Sequence, residues 1–144
     1  MDQEPLIDFI PVARQELVVI VPPDHPLSDR TEIRLSETLD YPQILFSRRS
    51  GLRPMIDKLF LACGKQPDCI FEIDEDQTIA GFVANGFGIA VVPNMPILTN
   101  MHLKVIHITE ANWERRFYIA YLKNRYRTPL AEKFLSYVKS HALI

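Results

Sequence analysis

Eleven prolines divide this 144-residue chain and limit what can form between them. Each fixes its own φ, removes a backbone donor and turns the preceding residue away from the helical region. Leu17-Val18-Val19-Ile20-Val21 is a continuous apolar, β-branched run stopped by Pro22-Pro23, which predicts a buried strand. Asp24-His25-Pro26-Leu27 follows as a turn. Leu35 to Leu39 fits one short helical turn, with Ser36 as its candidate cap, before Tyr41-Pro42 ends it.

A strand-helix rhythm then begins. Ile44-Leu45-Phe46 reads as a short strand. Pro54 suits a first helical position, and Met55, Ile56, Leu59, Phe60 and Cys63 fall at helical spacing behind it. Gly64 is the candidate C-terminal cap, with Pro67 shortly after. Cys69-Ile70-Phe71-Glu72-Ile73 is the next strand. Asp74 or Asp76 caps a second helix whose apolar face is Ile79, Phe82 and Val83, ending at Asn85-Gly86. Ile89 to Val92 makes a third strand, terminated by Pro93. Such a β-α-β-α-β order with short connections makes a right-handed parallel sheet flanked by helices the default. Leu103 to Ile108 and Phe117 to Leu122 predict two further strands. Thr128-Pro129 then opens a last helix, with Leu130, Phe134 and Val138 as its buried face. One strand before the block, and strands and a helix after it, describe a chain that enters a subdomain and leaves it again.

Composition narrows the function classes. Apolar residues are 47% and charged residues 24%, the balance of a soluble globular protein rather than a disordered or collagen-like one. No apolar run approaches the roughly 20 residues that span a bilayer. Asp2, Glu4 and Asp8 stand where a signal peptide would carry basic and then apolar residues, so a cytoplasmic location is expected. Sixteen Lys and Arg against eighteen Asp and Glu leave a net charge of -2. Phosphate neutralisation needs a basic excess, so the chain by itself is not expected to hold DNA or RNA. Cys63 and Cys69 form no C-x-x-C pair and read as reduced, mostly buried thiols.

Three segments are candidates for chemistry. Ser47-Arg48-Arg49-Ser50-Gly51 joins the first strand of the block to its helix. In parallel α/β sheets ligands gather at the carboxyl ends of strands, where helix N-termini present free N–H groups. Two hydroxyls, two guanidinium groups and a glycine there suit an anion, most naturally a carboxylate. The plainer reading is a polar loop whose serine caps the helix, and one atom can do both. Asp74-Glu75-Asp76-Gln77-Thr78 lies at the same sheet edge, so both loops can face one crevice. Its carboxylates need no purpose beyond the helix dipole. Gln77 and Thr78 are the better ligand contacts. In Ala84-Asn85-Gly86-Phe87-Gly88-Ile89-Ala90 the glycines end a helix and precede a strand, the wrong polarity for a phosphate loop. Gly86 is expected as a left-handed cap and Gly88 as a point of close packing. His25, His102, His107 and His141 show no metal spacing, no nucleophile motif is present, and neither a metal, a cofactor nor a catalytic set is expected. Trp113 is expected to pack at an edge.

Gln15-Glu16-Leu17-Val18-Val19-Ile20-Val21-Pro22-Pro23-Asp24-His25-Pro26-Leu27 resembles the strand and "HPL" turn of LysR-type transcriptional regulators. The likeness continues through Leu39 to Phe46 and through Thr78 to Pro93, a helix followed by a G-x-G-[IV]-[AT]-x-[VL]-P stretch. Tyr126 to Phe134 resembles the family's final helix. The resemblance covers nearly the whole chain. It implies an α/β fold of the type 2 periplasmic-binding-protein kind, a parallel-rich sheet with flanking helices in two subdomains around a ligand cleft. Residues 24–95 would be the complete second subdomain, and 1–23 with 96–144 part of the first.

By position, Ser47, Arg48, Ser50 and Gly51, with Asp76, Gln77 and Thr78, match the family's effector contacts. The implied function is sensing of a small anionic metabolite, with DNA held through a helix-turn-helix domain outside these residues. A transport-type solute-binding domain is the runner-up, and a dehydratase-like enzyme of the same fold comes third. A truncated first subdomain would leave sheet edges and apolar faces uncovered, which predicts a dimer or a segment exchange between chains.

Overall fold

The computed structural model describes residues 6–110 and 114–142; Trp113 lies outside them. In chain order the elements are β1 (Ile7–Val21), β2 (Glu32–Ile33), β3 (Gln43–Phe46), α1 (Leu52–Ala62), β4 (Cys69–Ile73), α2 (Asp76–Ala84), β5 (Ala90–Pro93), β6 (Lys104–Ile108), β7 (Glu114–Leu122) and α3 (Pro129–His141). Short 3-10 turns stand at Leu35–Thr38 and Pro96–Asn100. The chain forms two compact units, a larger one from Glu16–Trp113 and a smaller one from Met1–Gln15 with Glu114–Ile144.

In the larger unit, Leu17–Val21 of β1 is buried on both faces, as its unbroken apolar run requires. It pairs antiparallel with β5 on one side (Leu17 opposite Pro93, Ile20 opposite Ala90) and with β6 on the other (Val18 opposite His107, Val21 opposite Lys104). β2 adds to β6 in parallel. The expected parallel β-α-β is β3-α1-β4, with Phe46 opposite Ile73. The third strand departs from the all-parallel default. Ile89 makes one parallel bridge to Gln43, and the chain then crosses to run antiparallel along β1. Gly88 permits that crossing. Its φ is +156°, and a Cβ there would stand 3.1 Å from both the Pro42 carbonyl oxygen and the Ile70 side chain. Gly86 takes the left-handed cap at φ +82°, as Gly64 does behind α1 at +78°.

α1 begins at Leu52, two residues before Pro54, which is tolerated because first-turn N–H groups have no helical partner. It buries Leu52, Arg53, Ile56, Leu59 and Phe60, and α2 buries Ile79, Ala80 and Val83. The N-cap of α2 is Glu75, without a side-chain cap bond, rather than Asp74 or Asp76. At the first 3-10 turn Ser36 is not the cap either. Glu110 takes the Leu35 N–H at 3.0 Å, and Glu37 takes the Arg34 N–H at 2.9 Å. His25 Nδ1 accepts from Leu27 N at 3.1 Å and its ring meets Tyr41, so burial lowers its pKa and the turn is held by neutral imidazole.

The thiols depart from expectation in one respect. Both are free, but Cys63 is half-buried and Cys69 is exposed. β4 has β3 as its one strand neighbour among the described residues, and its outer side is uncovered.

In the smaller unit the first part of β1 pairs with β7. Contacts of Leu6 with Lys123, Phe9 with Tyr118 and Arg14 with Glu114 run in opposite sequence directions, so the two strands are antiparallel. Pro11 sits inside this strand, where one described neighbour leaves it an edge position that needs no N–H. Thr128 caps α3 by accepting from Ala131 N at 3.2 Å, with Pro129 at the first turn. The buried residue of α3 is Leu135. Leu130 and Phe134, expected inside, are 78% and 56% exposed, because a two-stranded ribbon offers too little surface to cover that stripe. Among the described residues no helix is long and apolar enough to cross a membrane.

Candidate functional site

β3 and β4 are parallel neighbours ending together at Phe46 and Ile73, so the chain leaves both at one edge of the larger unit. Ser47–Gly51 follows the first strand and Asp74–Glu75 the second, and both lead into helices. The two loops touch. Ser47 N donates to the Ile73 carbonyl at 3.0 Å, and the Ser47 hydroxyl donates to the Asp74 carboxylate. The same hydroxyl oxygen accepts from Arg49 N at 3.3 Å. Ser47 is therefore occupied in joining the loops.

Ser50 closes a tight turn, its N–H on the Ser47 carbonyl at 3.0 Å, and its hydroxyl oxygen accepts from Leu52 N at 3.2 Å. The N-cap of α1 is Gly51, without a side-chain cap bond, so Ser50 stands one residue ahead of the expected cap position. Among the described residues its O–H has no acceptor and can donate to a ligand. Arg48 and Arg49 are exposed, and neither forms an ion pair among the described residues. Gly51 has an ordinary φ of -63° and a Cβ there would meet nothing within 4 Å, so neither backbone nor packing demands glycine. On the second loop, Asp76 is half-buried in the first turn of α2 and its carboxylate accepts from Gln77 N at 2.8 Å. Gln77 and Thr78 are exposed. The first-turn N–H groups of α1 are not available, since Leu52 N and Arg53 N both bond Ser50 and Pro54 has none. Two guanidinium groups without ion partners among the described residues, with the hydroxyl and amide side chains, give this edge its means to hold an oxygen-rich anion.

Arg53 was missed in the sequence. Its side chain is about nine-tenths buried beneath the first loop, with Nη1 on the Phe46 carbonyl at 2.7 Å and on Glu72 at 3.0 Å, and Nε on Asp57 at 2.9 Å. Burial opposes its charge, but the hydrogen bonds to Glu72 and Asp57 outweigh that and hold its pKa above the usual value. A signal was present. Arg53 stands three residues before Ile56 and seven before Phe60, on the apolar face of α1, with Asp57 one turn on.

Two concavities of the larger unit lie elsewhere. One of about 500 Å³ is lined by Leu35, Leu59, Cys63 and Glu110 among others, and one of about 360 Å³ by Pro22, Asn85 and His102 among others. The loop residues line neither. Among the described residues no group of three or more His, Cys, Asp or Glu is placed to hold a metal ion.

The family model of the LysR substrate binding domain matches residues 2–143. YybE, an uncharacterized HTH-type transcriptional regulator of Bacillus subtilis, is 38% identical over 135 residues, covering 94% of this chain and 46% of its own. SsuR, an HTH-type transcriptional regulator of Burkholderia cenocepacia, is 33% identical over 95 residues, 66% of this chain and 31% of its own. The chain thus spans about half the length of YybE, or less than half of SsuR. Among solved structures, the effector binding domain of QuiR in complex with shikimate superposes with a TM-score of 0.86 at 38% identity, over 99% of this chain and 68% of that one. The BenM effector binding domain with benzoate gives 0.76 at 22% identity, over 97% and 65%, a likeness of fold alone.

Proposed function

The chain belongs to the LysR substrate-binding domain family, and from that premise we propose that it is the effector-sensing part of a transcriptional regulator. Its effector is a small hydroxylated carboxylate, held in part by Ser50, Arg48, Gln77 and Thr78, with Ser47, Gly51 and Asp76 shaping the loops around it. Residues 24–95 form the second regulatory subdomain, and 1–23 with 96–144 contribute to the first. Occupancy changes how these subdomains stand to each other and so biases a DNA-binding domain elsewhere in the protein, a coupling between two sites. The setting is cytoplasmic.

One observation carries the reading. Two loops meet at the carboxyl ends of parallel β3 and β4, and among the described residues the Arg48 and Arg49 guanidinium groups there form no ion pair, whereas Arg14, Arg30, Arg53, Arg116 and Arg127 do. The carboxylate class is supported by the shikimate on QuiR. The matched relatives are regulators, which favours a sensor over a transport protein or a dehydratase. Calorimetric titration of the full-length protein with shikimate tests the site. Ser50→Ala and Thr78→Val should each weaken binding about 10-fold, the size of one lost hydrogen bond to a charged group. Unchanged affinity in both would sink the site assignment.

The larger unit also presents apolar surface beside its free strand. Ile70, Phe71 and Phe87 are 39%, 41% and 53% exposed, and Phe71, Phe82 and Phe87 form a ring cluster with centroids 5.4–6.2 Å apart. A second copy of the chain is the proposed cover, since an uncovered strand edge with apolar flanks pairs readily. Sedimentation should then show a dimer at high micromolar concentration that Phe71→Lys shifts to monomer. A wild-type monomer at that concentration contradicts the pairing.

A further inference from the structure

We propose that Arg53 is a positioning residue for the effector loop, fixing Ser47–Gly51 from beneath without touching the ligand. The inference rests on the effector-site reading above. Among the described residues Arg53 is the one charged residue that is buried, with 8% of its surface exposed. Its place opposes it twice over. Burial penalises the charge, and the first turn of a helix is where a cation is least welcome.

What compensates is a planar fork filled on three sides. Nη1 reaches the last carbonyl of β3, at Phe46, and the Glu72 carboxylate on β4, while Nε reaches Asp57 one turn along α1. The Arg53 backbone N–H meanwhile takes the Ser50 carbonyl at 3.2 Å. One residue therefore grips the chain immediately before the loop and near its end. A lysine ammonium at this place lacks the fork and cannot serve strand, neighbour strand and helix together. Two carboxylates neutralise the Arg53 charge where it stands, and Arg48 and Arg49 form no ion pair among the described residues and stand on the outside. The arginines of this edge divide the work, one shaping the loop and two facing a ligand.

Amide hydrogen exchange on the full chain tests this without any ligand. The N–H groups of Ser47 and Ser50 are bonded within the loop region, and those of Val18–Val21 report the central sheet. Arg53→Gln should lower protection at Ser47 and Ser50 by at least roughly 10-fold, the size expected when a charge-assisted hydrogen bond is lost, while Val18–Val21 changes far less. Equal loss in both places, or none at the loop, overturns the proposal. If Arg53→Gln does not fold, Arg53→Lys carries the same comparison.

Shikimate titration adds a second arm. Where Ser50→Ala weakens binding, Arg53→Lys should weaken it by about 5-fold or more, and the double variant by less than the product of the two. Wild-type affinity in Arg53→Lys against a weakened Ser50→Ala overturns the positioning role. Indifference of binding to Ser50→Ala sinks the effector-site reading instead, and exchange at Ser47 and Ser50 then decides Arg53 by itself.

Discussion

Phe60→Ala is expected to cost the larger unit about 3–5 kcal/mol, the range for emptying a fully buried aromatic site. Phe60 is 0% exposed and is the largest of the fully buried side chains. It sits on the face of α1 that also carries Ile56 and Leu59, in one core cluster with Ile44, Ile79 and Val83. Removing the ring forfeits both its transfer free energy and the contacts of everything around it, because strands gripped from both sides cannot close on the gap. Phe60→Leu should return most of the loss by refilling the space. Urea unfolding followed by circular dichroism, with exchange at Val18–Val21 as a check on global opening, measures both. A loss under about 1 kcal/mol for the alanine variant would mean that α1 is not anchored as the burial indicates.

Local signals made much of this fold legible. Leu17–Val21 had to be a strand buried on both faces, and Thr128-Pro129 had to open a helix, because neighbouring residues alone determine each. The glycines at 86 and 88 were equally plain. What stayed hidden depends on partners distant in sequence. Nothing near Ile89 says that its strand will touch β3 once and then join β1, since that outcome belongs to Leu17–Ile20 as much as to Ala90–Pro93. The spacing of Leu130, Phe134 and Val138 shows an apolar stripe but not whether a layer exists to cover it. Cys69 looked buried because its strand is apolar, and its exposure follows from β4 standing at a margin.

The candidate loops were legible for a geometric reason. Strand-helix alternation places them at one sheet edge whatever their composition. The hydrogen bond from Ser47 to Asp74 and the grip of Arg53 on Phe46 were not, since each joins residues that only the register of β3 against β4 brings together.

The last hidden feature is a polar pair inside the core, and it predicts a pH-dependent variant. Gln43 and Thr38 are both 0% exposed. Gln43 Nε2 donates to the Thr38 carbonyl and hydroxyl oxygens, each at 3.0 Å, and the hydroxyl donates onward to the Leu35 carbonyl at 2.7 Å. Gln43 Oε1 is buried with no hydrogen-bond partner among the described residues. Gln43→Leu loses two hydrogen bonds but also removes that orphan oxygen, and Tyr41 N still serves the Thr38 carbonyl, so it should cost only about 1–2 kcal/mol. Gln43→Glu has nearly the same shape and should cost about 3–5 kcal/mol at pH 8, because it sets an uncompensated carboxylate against two oxygens. Burial raises such a carboxyl above its unfolded pKa of about 4.3, so the folded state holds the proton over a window in which the unfolded state has released it. Stability of the variant relative to wild type therefore rises as pH falls through the folded pKa towards the unfolded one, and the protonated acid then donates to the Thr38 carbonyl as the amide did. Urea midpoints at pH 8 and pH 5 should show most of the deficit at the higher value. An equal deficit at both would mean that the carboxylate has found water, and that position 43 is not sealed in the core.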